Sequence, residues 1–340
     1  RQLVIRNVLG GIKSAFTNLR RGHIKHFEMR FKSKRNHSQY FFVDHRALHN
    51  DMHLWRNTLR EPLRFKNKEK KWIQRLMKSN AKNDIPMKNM IINRERTGKY
   101  FIQIPYKESM DNNIPEKKVV SIDPGVITFH TFYSPDGECG NIGYGFAKSL
   151  EPANDLIDQT QSHIMTILKK KDKKKNEPPS VQKAKQMKKM RKDIRRLKKK
   201  LVRIRTHMKN RVKDLHQKTI KYYCDNYKYI ILPDFDAVRI AKKLKRQGMR
   251  KEARKTMELS HRTFIRRLKT KVNMYENCKL FLVGEHYTSQ TCGNCGVLNK
   301  KLGRDRRLTC FNCEYSTDRD MNAARNILIN HAHSLNIIDI

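Results

Sequence analysis

Four cysteines near the C-terminus have the spacing of a metal site. Two Cys-X-X-Cys pairs, Cys292 with Cys295 and Cys310 with Cys313, are separated by fourteen residues. Four thiolates leave no open coordination position, so the pattern predicts one structural zinc ion and not a catalytic one. The other three cysteines lack such spacing and are interpreted as buried or incidental thiols: Cys139, Cys224 and Cys278.

Acidic residues beside apolar runs form the second candidate chemistry. Hydrolysis of a phosphodiester by two metal ions requires carboxylates that converge on a pair of divalent cations about 4 Å apart. Asp123 ends an apolar run at a Pro-Gly turn, and Glu285 closely follows another apolar run. Asp318 and Asp320 open a predicted helix, in which Asp318 suits the N-cap. Each acid also has a plain structural interpretation, as a turn former, a strand end or a helix cap.

The charge balance indicates a polyanionic partner. The 340 residues carry 76 Lys or Arg and 32 Asp or Glu, which gives a net charge of +44. Such an excess favours nucleic acid as the partner. No apolar run is long enough to predict a membrane span, and the clustered cysteines indicate a reducing compartment. Because the first residue is Arg1, we expect the sequence to be part of a longer chain.

The first part of the chain is expected to combine a helix with a β-rich domain. Apolar residues recur at helical spacing over residues 1–25, with an interruption at Gly10-Gly11. Two aromatic runs, 39–43 and 100–104, predict strands in a β-rich segment. Core packing is favoured over base stacking for most of the aromatic side chains in these runs. They include Tyr40, Phe41, Tyr100 and Phe101.

A long basic helix is predicted in the middle of the chain. Apolar residues between 187 and 215 recur at spacings of three and four, which indicates a coiled-coil-like seam. Off that seam, residues 181–213 carry sixteen Lys or Arg and a single acid. A helix over 151–171 is its expected partner in a hairpin. The off-seam surface either holds phosphates or is simply solvated, and the mutual repulsion of its charges favours phosphate binding.

The candidate phosphate-binding residues fall into two groups. The first, here called the basic face, lies on the long helix and comprises Lys188, Lys189, Arg191, Arg195, Arg196, Lys199 and Arg203. The second lies in the loop between the cysteine pairs and comprises Lys300, Lys301, Arg304, Arg306 and Arg307. For any one loop residue, solvated charge is an equally good interpretation.

Strand-like and helical runs alternate in the second part of the chain. Strands are predicted on either side of the Pro-Gly turn after Asp123, at 229–232 and at 280–283, with a helix over 258–276. This order predicts a mixed sheet with flanking helices.

The chain resembles the Fanzor family, the eukaryotic and giant-virus relatives of the transposon-encoded nuclease TnpB. Residues 121–126, Ser-Ile-Asp-Pro-Gly-Val, resemble the first RuvC motif of that family, and residues 318–327, Asp-Arg-Asp-Met-Asn-Ala-Ala-Arg-Asn-Ile, resemble the last. Residues 284–292 resemble the signature that leads into its zinc ribbon, and residues 259–264 resemble the preceding helix. Residues 27–34 are more weakly similar to the segment entering its wedge domain.

The resemblance implies an α+β multidomain protein. Its nuclease domain is expected to be RuvC-like (RNase H fold) and to carry an inserted zinc ribbon and a basic helical hairpin. A helical and β-barrel-like wedge and recognition region is expected to precede it. The expected divisions are the end of a helical recognition region (1–25), a wedge domain (26–117), the nuclease domain (118–285, with the hairpin at about 151–222), the zinc ribbon (286–317) and the last RuvC motif with the C-terminal helix (318–340).

One departure concerns the second catalytic acid. Bacterial TnpB usually has this acid just after the strand that corresponds to 229–232, where this chain has Pro233. The Fanzor-like pattern instead has a glutamate after the next strand, as at Glu285. The resemblance thus implies that Asp123, Glu285 and Asp320 hold two Mg²⁺ ions. Asp234 and Asp318 remain alternatives.

The resemblance also implies an activity and its partners. It predicts an RNA-guided DNA endonuclease that binds a noncoding guide RNA and double-stranded target DNA, without a membrane or a small-molecule substrate, in the nucleus of a eukaryotic or virus-infected cell. A monomer is favoured. The alternatives are a structure-specific nuclease that needs no guide and a catalytically silent binder of RNA or DNA that regulates a transposable element.

Overall fold

The computed structural model describes ten stretches of the chain. They are residues 2–28, 39–49, 51–55, 61–82, 88–95, 97–106, 114–175, 178–284, 286–299 and 305–332. The chain forms two compact units, an N-terminal unit of residues 1–108 and a C-terminal unit of residues 109–340. The predicted mixed α+β fold class is confirmed.

The N-terminal unit contains a three-stranded antiparallel sheet and two helices. The helices are α1 (Gln2–Arg20) and α2 (Asn67–Lys82), and the strands are β1 (Gln39–Val43), β2 (Met90–Arg94) and β3 (Tyr100–Gln103). Helix α1 continues through Gly10-Gly11, contrary to the expected interruption. The core joins Val43 and Met90 of the sheet to Ile73 of α2, so α2, which no pattern predicted, covers one face of this sheet.

The aromatic side chains of this sheet are exposed, and the prediction of core packing is wrong for them. The register aligns Tyr40 with Asn93 and Phe101 on one face, and Phe41 with Ile92 on the other. Because Val43 and Ile92 face the core, period-two alternation directs Tyr40 and Phe101 away from it. Their exposed fractions are 52% and 45%, and Tyr100, at the end of the sheet, is 67% exposed.

A five-stranded mixed sheet forms the centre of the C-terminal unit. Its strands are β4 (Lys117–Pro124), β5 (His130–Tyr133), β6 (Cys139–Ile142), β7 (Tyr227–Pro233) and β8 (Lys279–Val283). Their order is β6-β5-β4-β7-β8. Strands β4, β7 and β8 are parallel, whereas β5 is antiparallel to β4 and to β6. The carboxyl ends of β4, β7 and β8 therefore meet at one edge of the sheet.

Six helices accompany this sheet in the described residues. They are α3 (Glu151–Lys175), α4 (Val181–Asn226), α5 (Ala237–Arg246), α6 (Arg250–Glu258), α7 (His261–Val272) and α8 (Arg319–Ala332). Two short strands, β9 (Arg307–Thr309) and β10 (Ser316–Asp318), form a separate antiparallel ribbon. None of the helices in the described stretches is both long and apolar enough to cross a bilayer.

Helices α3 and α4 form the predicted hairpin. The buried seam of α4, including Ile194, Leu197 and Leu201, packs against Ile157 and Ile164 of α3 in the same chain. Helix α4 begins after Ser180, whose Oγ accepts a 3.1 Å hydrogen bond from the backbone N–H of Lys183. This N-cap follows Pro178 and Pro179 and marks the point where α4 begins.

The helix predicted over 258–276 corresponds to α7 alone and is shorter than predicted, from His261 to Val272, because the chain breaks at Ser260. That residue has φ of 54°, in the left-handed region, and a right-handed helix cannot continue through it. Helix α6 ends at Glu258 and α7 begins at His261. Phe264 and Leu268 of α7 join the core that covers Val120 and Ile122 of β4.

Candidate active site

The parallel strands bring two candidate acids to the same edge of the sheet. Ser121 of β4 pairs with Ile231 of β7, and Pro233 of β7 pairs with Val283 of β8. Asp123, two residues beyond Ser121, is thus level with Pro233. Asp234 follows at this edge, where its backbone N–H donates a 3.1 Å hydrogen bond to the carbonyl oxygen of Val283. Asp123 is partly buried, whereas Asp234 is exposed.

Helix α8 packs on the opposite face of β4 from α7. Ser121 Oγ donates a buried 2.7 Å hydrogen bond to the carbonyl oxygen of Ala324. Val119, two residues earlier on β4, shares a buried cluster with Ile327 and Leu328, which follow on α8. The helix therefore runs towards the amino end of β4 as the chain proceeds, and its first turn extends towards the carboxyl end.

Strand and helix periodicity put Asp123 and Asp320 on facing surfaces. Asp123 shares the α8 side of β4 with Ser121, because alternate residues point to the same face. Asp320 is four residues before Ala324 and so lies on the same side of α8. Measured from the Ser121–Ala324 bond, Asp123 lies about 7 Å away along the strand, and Asp320 lies about 6 Å away along the helix. The two carboxylates therefore approach the same end of β4.

The two acids at the start of α8 have different structural positions. Asp318 Oδ1 accepts hydrogen bonds from the backbone N–H groups of Asp320, at 2.9 Å, and Met321, at 3.1 Å. Asp318 is thus the N-cap of α8. The Asp320 side chain is 27% exposed, and its Oδ1 lies 3.7 Å from Arg319 Nε. Capping accounts for Asp318 but not for Asp320.

Glu285 lies outside the described residues, so the third acid of the predicted set is known here only from its neighbours in the chain. On one side, the carbonyl oxygen of Gly284 interacts at 3.0 Å with Nε2 of His331 near the end of α8. In the described part of the chain, the four cysteines are the one group of at least three side chains that comes together as a metal site would.

The four cysteine sulfurs have the spacing of a tetrahedral zinc site. All four lie within 4.8 Å of one another. Cys292 and Cys313 are 3.7 Å apart, and Cys295 and Cys310 are 3.6 Å apart. With Zn–S bonds of about 2.3 Å, the sulfurs of a tetrahedral site lie about 3.8 Å apart. The cluster therefore fits a closed structural zinc site, and β9 and β10 form the ribbon that carries its second pair.

Backbone hydrogen bonds and burial shift the pKa values of two cysteine thiols in opposite directions. A hydrogen bond from the backbone N–H of Val297 is the main cause that lowers the pKa of Cys295 to about 6. Burial raises the pKa of Cys292 to about 11. A thiol must lose its proton to bind zinc, so Cys295 is converted to thiolate more readily than Cys292.

Two buried asparagines of α8 hold the first cysteine knuckle. Asn322 Oδ1 accepts a 2.8 Å hydrogen bond from the Gly293 N–H, and Asn322 Nδ2 donates to the Thr291 carbonyl oxygen at 2.7 Å. Asn326 Nδ2 donates to the Thr288 and Thr291 carbonyl oxygens. A Cβ atom at Gly293 would lie 2.9 Å from Asn322 Oδ1. The helix that carries Asp320 is thus bonded directly to the zinc knuckle.

These asparagines are functional candidates that the sequence interpretation did not single out. Their i, i+4 spacing puts them on one side of α8, and both are nearly fully buried. The sequence signal that could have identified them is a pair of asparagines four residues apart, in the predicted helix that follows the two Cys-X-X-Cys pairs.

Three buried histidines surround Phe129, next to the turn that follows Asp123. The Phe129 ring stacks on those of His130, His216 and His261 at centroid distances of 4.1, 5.3 and 5.0 Å, and its carbonyl oxygen accepts from the Gly125 N–H at 3.1 Å. Burial lowers the pKa of His216 and of His261 to about 4, and that of His130 well below its ordinary value. All three are therefore neutral at pH 7.

The predicted phosphate-binding residues that the structure describes are exposed. All seven residues of the basic face lie on the surface of α4, and one of them, Arg196, has a 3.6 Å ion pair with Asp193. In the loop between the cysteine pairs, Arg306 and Arg307 are exposed. Arg307 Nε donates a 2.8 Å hydrogen bond to Ser316 Oγ. The other loop residues, Lys300, Lys301 and Arg304, lie outside the described residues.

A family model and several viral proteins are similar to this chain. Residues 261–327 match the model described as Cas12f1-like, TNB domain. "Putative transposase A625R" of Paramecium bursaria Chlorella virus 1 is 29% identical, over 97% of this chain and 68% of its own length. Two proteins of Acanthamoeba polyphaga mimivirus, "Putative transposase R186" and "TnpB-like protein L79", are 31% and 28% identical, each over 68% of this chain.

The chain is shorter than these relatives. It covers 44% of the R186 protein and 41% of the L79 protein. Among solved structures, Cas12f1 in its complex with single-guide RNA and target DNA is similar with a TM-score of 0.44 and 16% identity, over 80% of this chain and 50% of that chain. The viral relatives confirm the resemblance found in the motifs.

Proposed function

Given that this chain is a TnpB-like protein, homologous to those of giant viruses, we propose that it is an RNA-guided DNA endonuclease with a RuvC-like nuclease domain. The observation that supports this most is the buried bond between Ser121 and Ala324, because it sets the helix of Asp320 against the strand of Asp123. The order β6-β5-β4-β7-β8 of the mixed sheet is compatible with the RuvC-like fold.

We propose that Asp123, Asp320 and Glu285 hold two Mg²⁺ ions. Oxygen ligands from carboxylates suit this cation. Asp123 and Asp320 lie at the edge of the sheet where β8 ends, and Glu285 follows β8 closely in the chain. Two such ions held by these acids would supply activation of the attacking water and stabilisation of the leaving oxygen. The protein's part is to fix the acids on rigid elements: Ser121 ties β4 to α8, and Asp318 caps the helix that carries Asp320.

The zinc ribbon has a supporting role in this proposal. One Zn²⁺ at the four cysteines would fix the knuckle that Asn322 and Asn326 hold, and thereby the start of α8. The ribbon would also present Arg306 and Arg307 to a bound strand.

We propose that base pairing with a bound noncoding RNA selects the double-stranded DNA target, while the protein grips backbones. The basic face and the net charge of +44 support backbone binding. In this proposal the segments 1–25 and 26–117 serve as recognition and wedge regions, and the nuclease domain (118–285), zinc ribbon (286–317) and last motif (318–340) follow. The protein acts as a monomer in the nucleus.

The test is Mg²⁺-dependent cleavage of plasmid DNA by protein co-expressed with the noncoding RNA encoded beside its gene. Matched and scrambled guide segments are compared in parallel. Cutting with the matched guide alone is the expected result. Equal cutting with both would instead show a nuclease that needs no guide, and RNA binding without cutting would show a silent binder.

A further inference from the structure

A cleft opens at the base of the helical hairpin, entirely within the C-terminal unit. It lies between α3, α4, α6 and α7 and has a volume of about 450 Å³. Cavities of roughly 300–1,000 Å³ hold small organic ligands in proteins. The cleft contains none of the candidate metal-binding acids, so it is a separate feature from the proposed nuclease site.

The floor of this hairpin-base cleft is apolar. It is formed by Leu150, Ile157, Met208 and Val212, which all belong to the buried cluster of the hairpin. At the rim, Met257 of α6 is 44% exposed. Thioether sulfurs make favourable contacts with aromatic rings. Such a floor suits a flat, largely apolar ring.

The rim carries unneutralised positive charge. Arg205 and Lys209 of α4 line the cleft, are exposed, and have no carboxylate partner among the described residues. Arg254 is different, because Asp158 at 2.7 Å and Glu258 at 3.1 Å neutralise it. Ser260 and Thr263 at the start of α7 also line the cleft, and the amino end of a helix favours an anion. The rim therefore suits an anionic group.

One wall contributes a buried amide. Asn154 is 6% exposed and lines the cleft. Its Nδ2 donates a 2.9 Å hydrogen bond to Glu258 Oε2, whereas its Oδ1 has no partner in the described residues. A buried carbonyl oxygen without a donor costs free energy. An amino group on the occupant would supply that donor.

We propose that the hairpin-base cleft binds one unpaired purine nucleotide, with its ring on the apolar floor and its phosphate between Arg205 and Lys209. The combination of features selects this class. An inorganic anion would leave the apolar floor uncovered, and a fatty acid would leave Asn154 Oδ1 without a donor. The nucleotide is either free or part of a bound RNA or DNA strand. This inference goes beyond DNA cleavage and does not depend on the acids.

Equilibrium dialysis of AMP against the full chain tests the proposal. Adenosine and inorganic phosphate are compared with AMP, and each is expected to bind at least about tenfold more weakly, because each lacks half of the recognised group. Single strands of about 15 adenine ribonucleotides or deoxyribonucleotides, long enough to span one binding site, are then used to displace AMP. Displacement by RNA, by DNA or by neither identifies the source of the nucleotide.

Two variants and a matched control localise the binding. Lys209→Glu is expected to weaken AMP binding about tenfold or more, since it removes a charged hydrogen-bond donor. Met257→Trp fills the mouth of the cleft and should abolish binding. Lys213→Glu makes the same charge change on the same helix outside the cleft lining, and should leave AMP binding within about twofold. Thermal melting checks that each variant is folded.

Two results would overturn the proposal. One is that the Lys209→Glu variant and the folded Met257→Trp variant bind AMP as tightly as the Lys213→Glu control. The other is the absence of saturable AMP binding up to about 10 mM, since a dissociation constant of that size corresponds to only about 2.7 kcal/mol of binding free energy. If Met257→Trp does not fold, Lys209→Glu against Lys213→Glu decides alone.

Discussion

Ser121 Oγ of β4 donates a 2.7 Å hydrogen bond to the carbonyl oxygen of Ala324 in α8, in a region closed to solvent. The two residues are 203 positions apart in the chain, so the bond joins the first and last of the elements that the structure describes in the C-terminal unit. Because Asp123 follows Ser121 and Asp320 precedes Ala324, this contact sets the separation of the two acids.

Replacing Ser121 with Ala should lower the free energy of unfolding by about 1 kcal/mol, the usual contribution of one hydrogen bond. The loss is not larger because Ala324 lies within α8, where its carbonyl oxygen also has an intrahelical partner. Urea unfolding measures the change. Ser162→Ala, on the exposed surface of α3, is the control and should change stability by less than about 0.5 kcal/mol. Equal effects of the two substitutions would contradict the assigned role of the Ser121 bond.

The cysteine cluster should bind one zinc ion per chain. Cys310→Ser should lose that zinc and lower the melting temperature, because a metal bound only by the folded state stabilises it. Metal analysis of the purified protein gives the zinc content. Cys139→Ser changes an exposed cysteine outside the cluster and should keep one zinc. Full zinc occupancy in Cys310→Ser would refute the four-cysteine site.

The buried histidines should make the protein sensitive to acid. Burial lowers the pKa of His216 and of His261 to about 4, whereas an unfolded histidine titrates near pH 6.5. Between these values the unfolded chain binds protons that the folded chain does not. The contribution of these histidines to the free energy of unfolding is therefore fully present above about pH 6.5. It is lost as the pH is lowered towards 4, by up to about 1.4 kcal/mol per pH unit for each histidine.

His261→Phe isolates part of this pH dependence. The ring lies among Phe129, Phe235 and other aromatic side chains. The carbonyl group of Gly125 near the ring opposes the effect of burial only in part, and neither ring nitrogen has a hydrogen-bond partner in the described residues. Phenylalanine should therefore fold and reduce the slope of stability against pH between 6.5 and 4. Urea unfolding at pH 7 and pH 5 measures this, and an unchanged slope would contradict the burial argument.

The basic face should account for much of the salt dependence of RNA binding. Changing Arg195, Arg196, Lys199 and Arg203 to Gln removes four charges, and each lost phosphate contact should reduce the slope of log affinity against log salt by about 0.7–0.9. The control changes Arg239, Lys242, Lys243 and Lys245 of α5, which are also exposed, to Gln. If the slope decreased equally in both variants, RNA binding would depend on the overall positive charge and not on the basic face.

Much of the fold followed from local patterns, and the failures have physical causes. Strands β4 and β8 and the seam of the hairpin were predictable because apolar periodicity reflects burial. The break at Ser260 was not, since a left-handed serine has no sequence signature. The exposed Tyr40 and Phe101 were misassigned because an aromatic run reveals a strand but not which of its faces is covered.

The candidate site was predictable to the extent that its residues carry their own chemistry. The cysteine spacing identified the zinc cluster, since chelation by neighbouring pairs is local. The roles of Asn322 and Asn326 depend on backbone N–H and carbonyl groups that are 29 to 38 positions away along the chain, and no local pattern reveals such partners. The distinction between Asp318 and Asp320 likewise needed the capping hydrogen bonds.

The most direct test compares Asp320→Asn with Asp318→Asn in guide-dependent plasmid cleavage. Asparagine caps a helix about as well as aspartate, so Asp318→Asn should cut at nearly the normal rate. Asp320→Asn removes a proposed metal-ligand charge and should cut at least about a thousandfold more slowly, equivalent to about 4 kcal/mol of transition-state stabilisation, with RNA binding unchanged. Normal cutting by Asp320→Asn, with loss of cutting in Asp318→Asn, would contradict the account of this site.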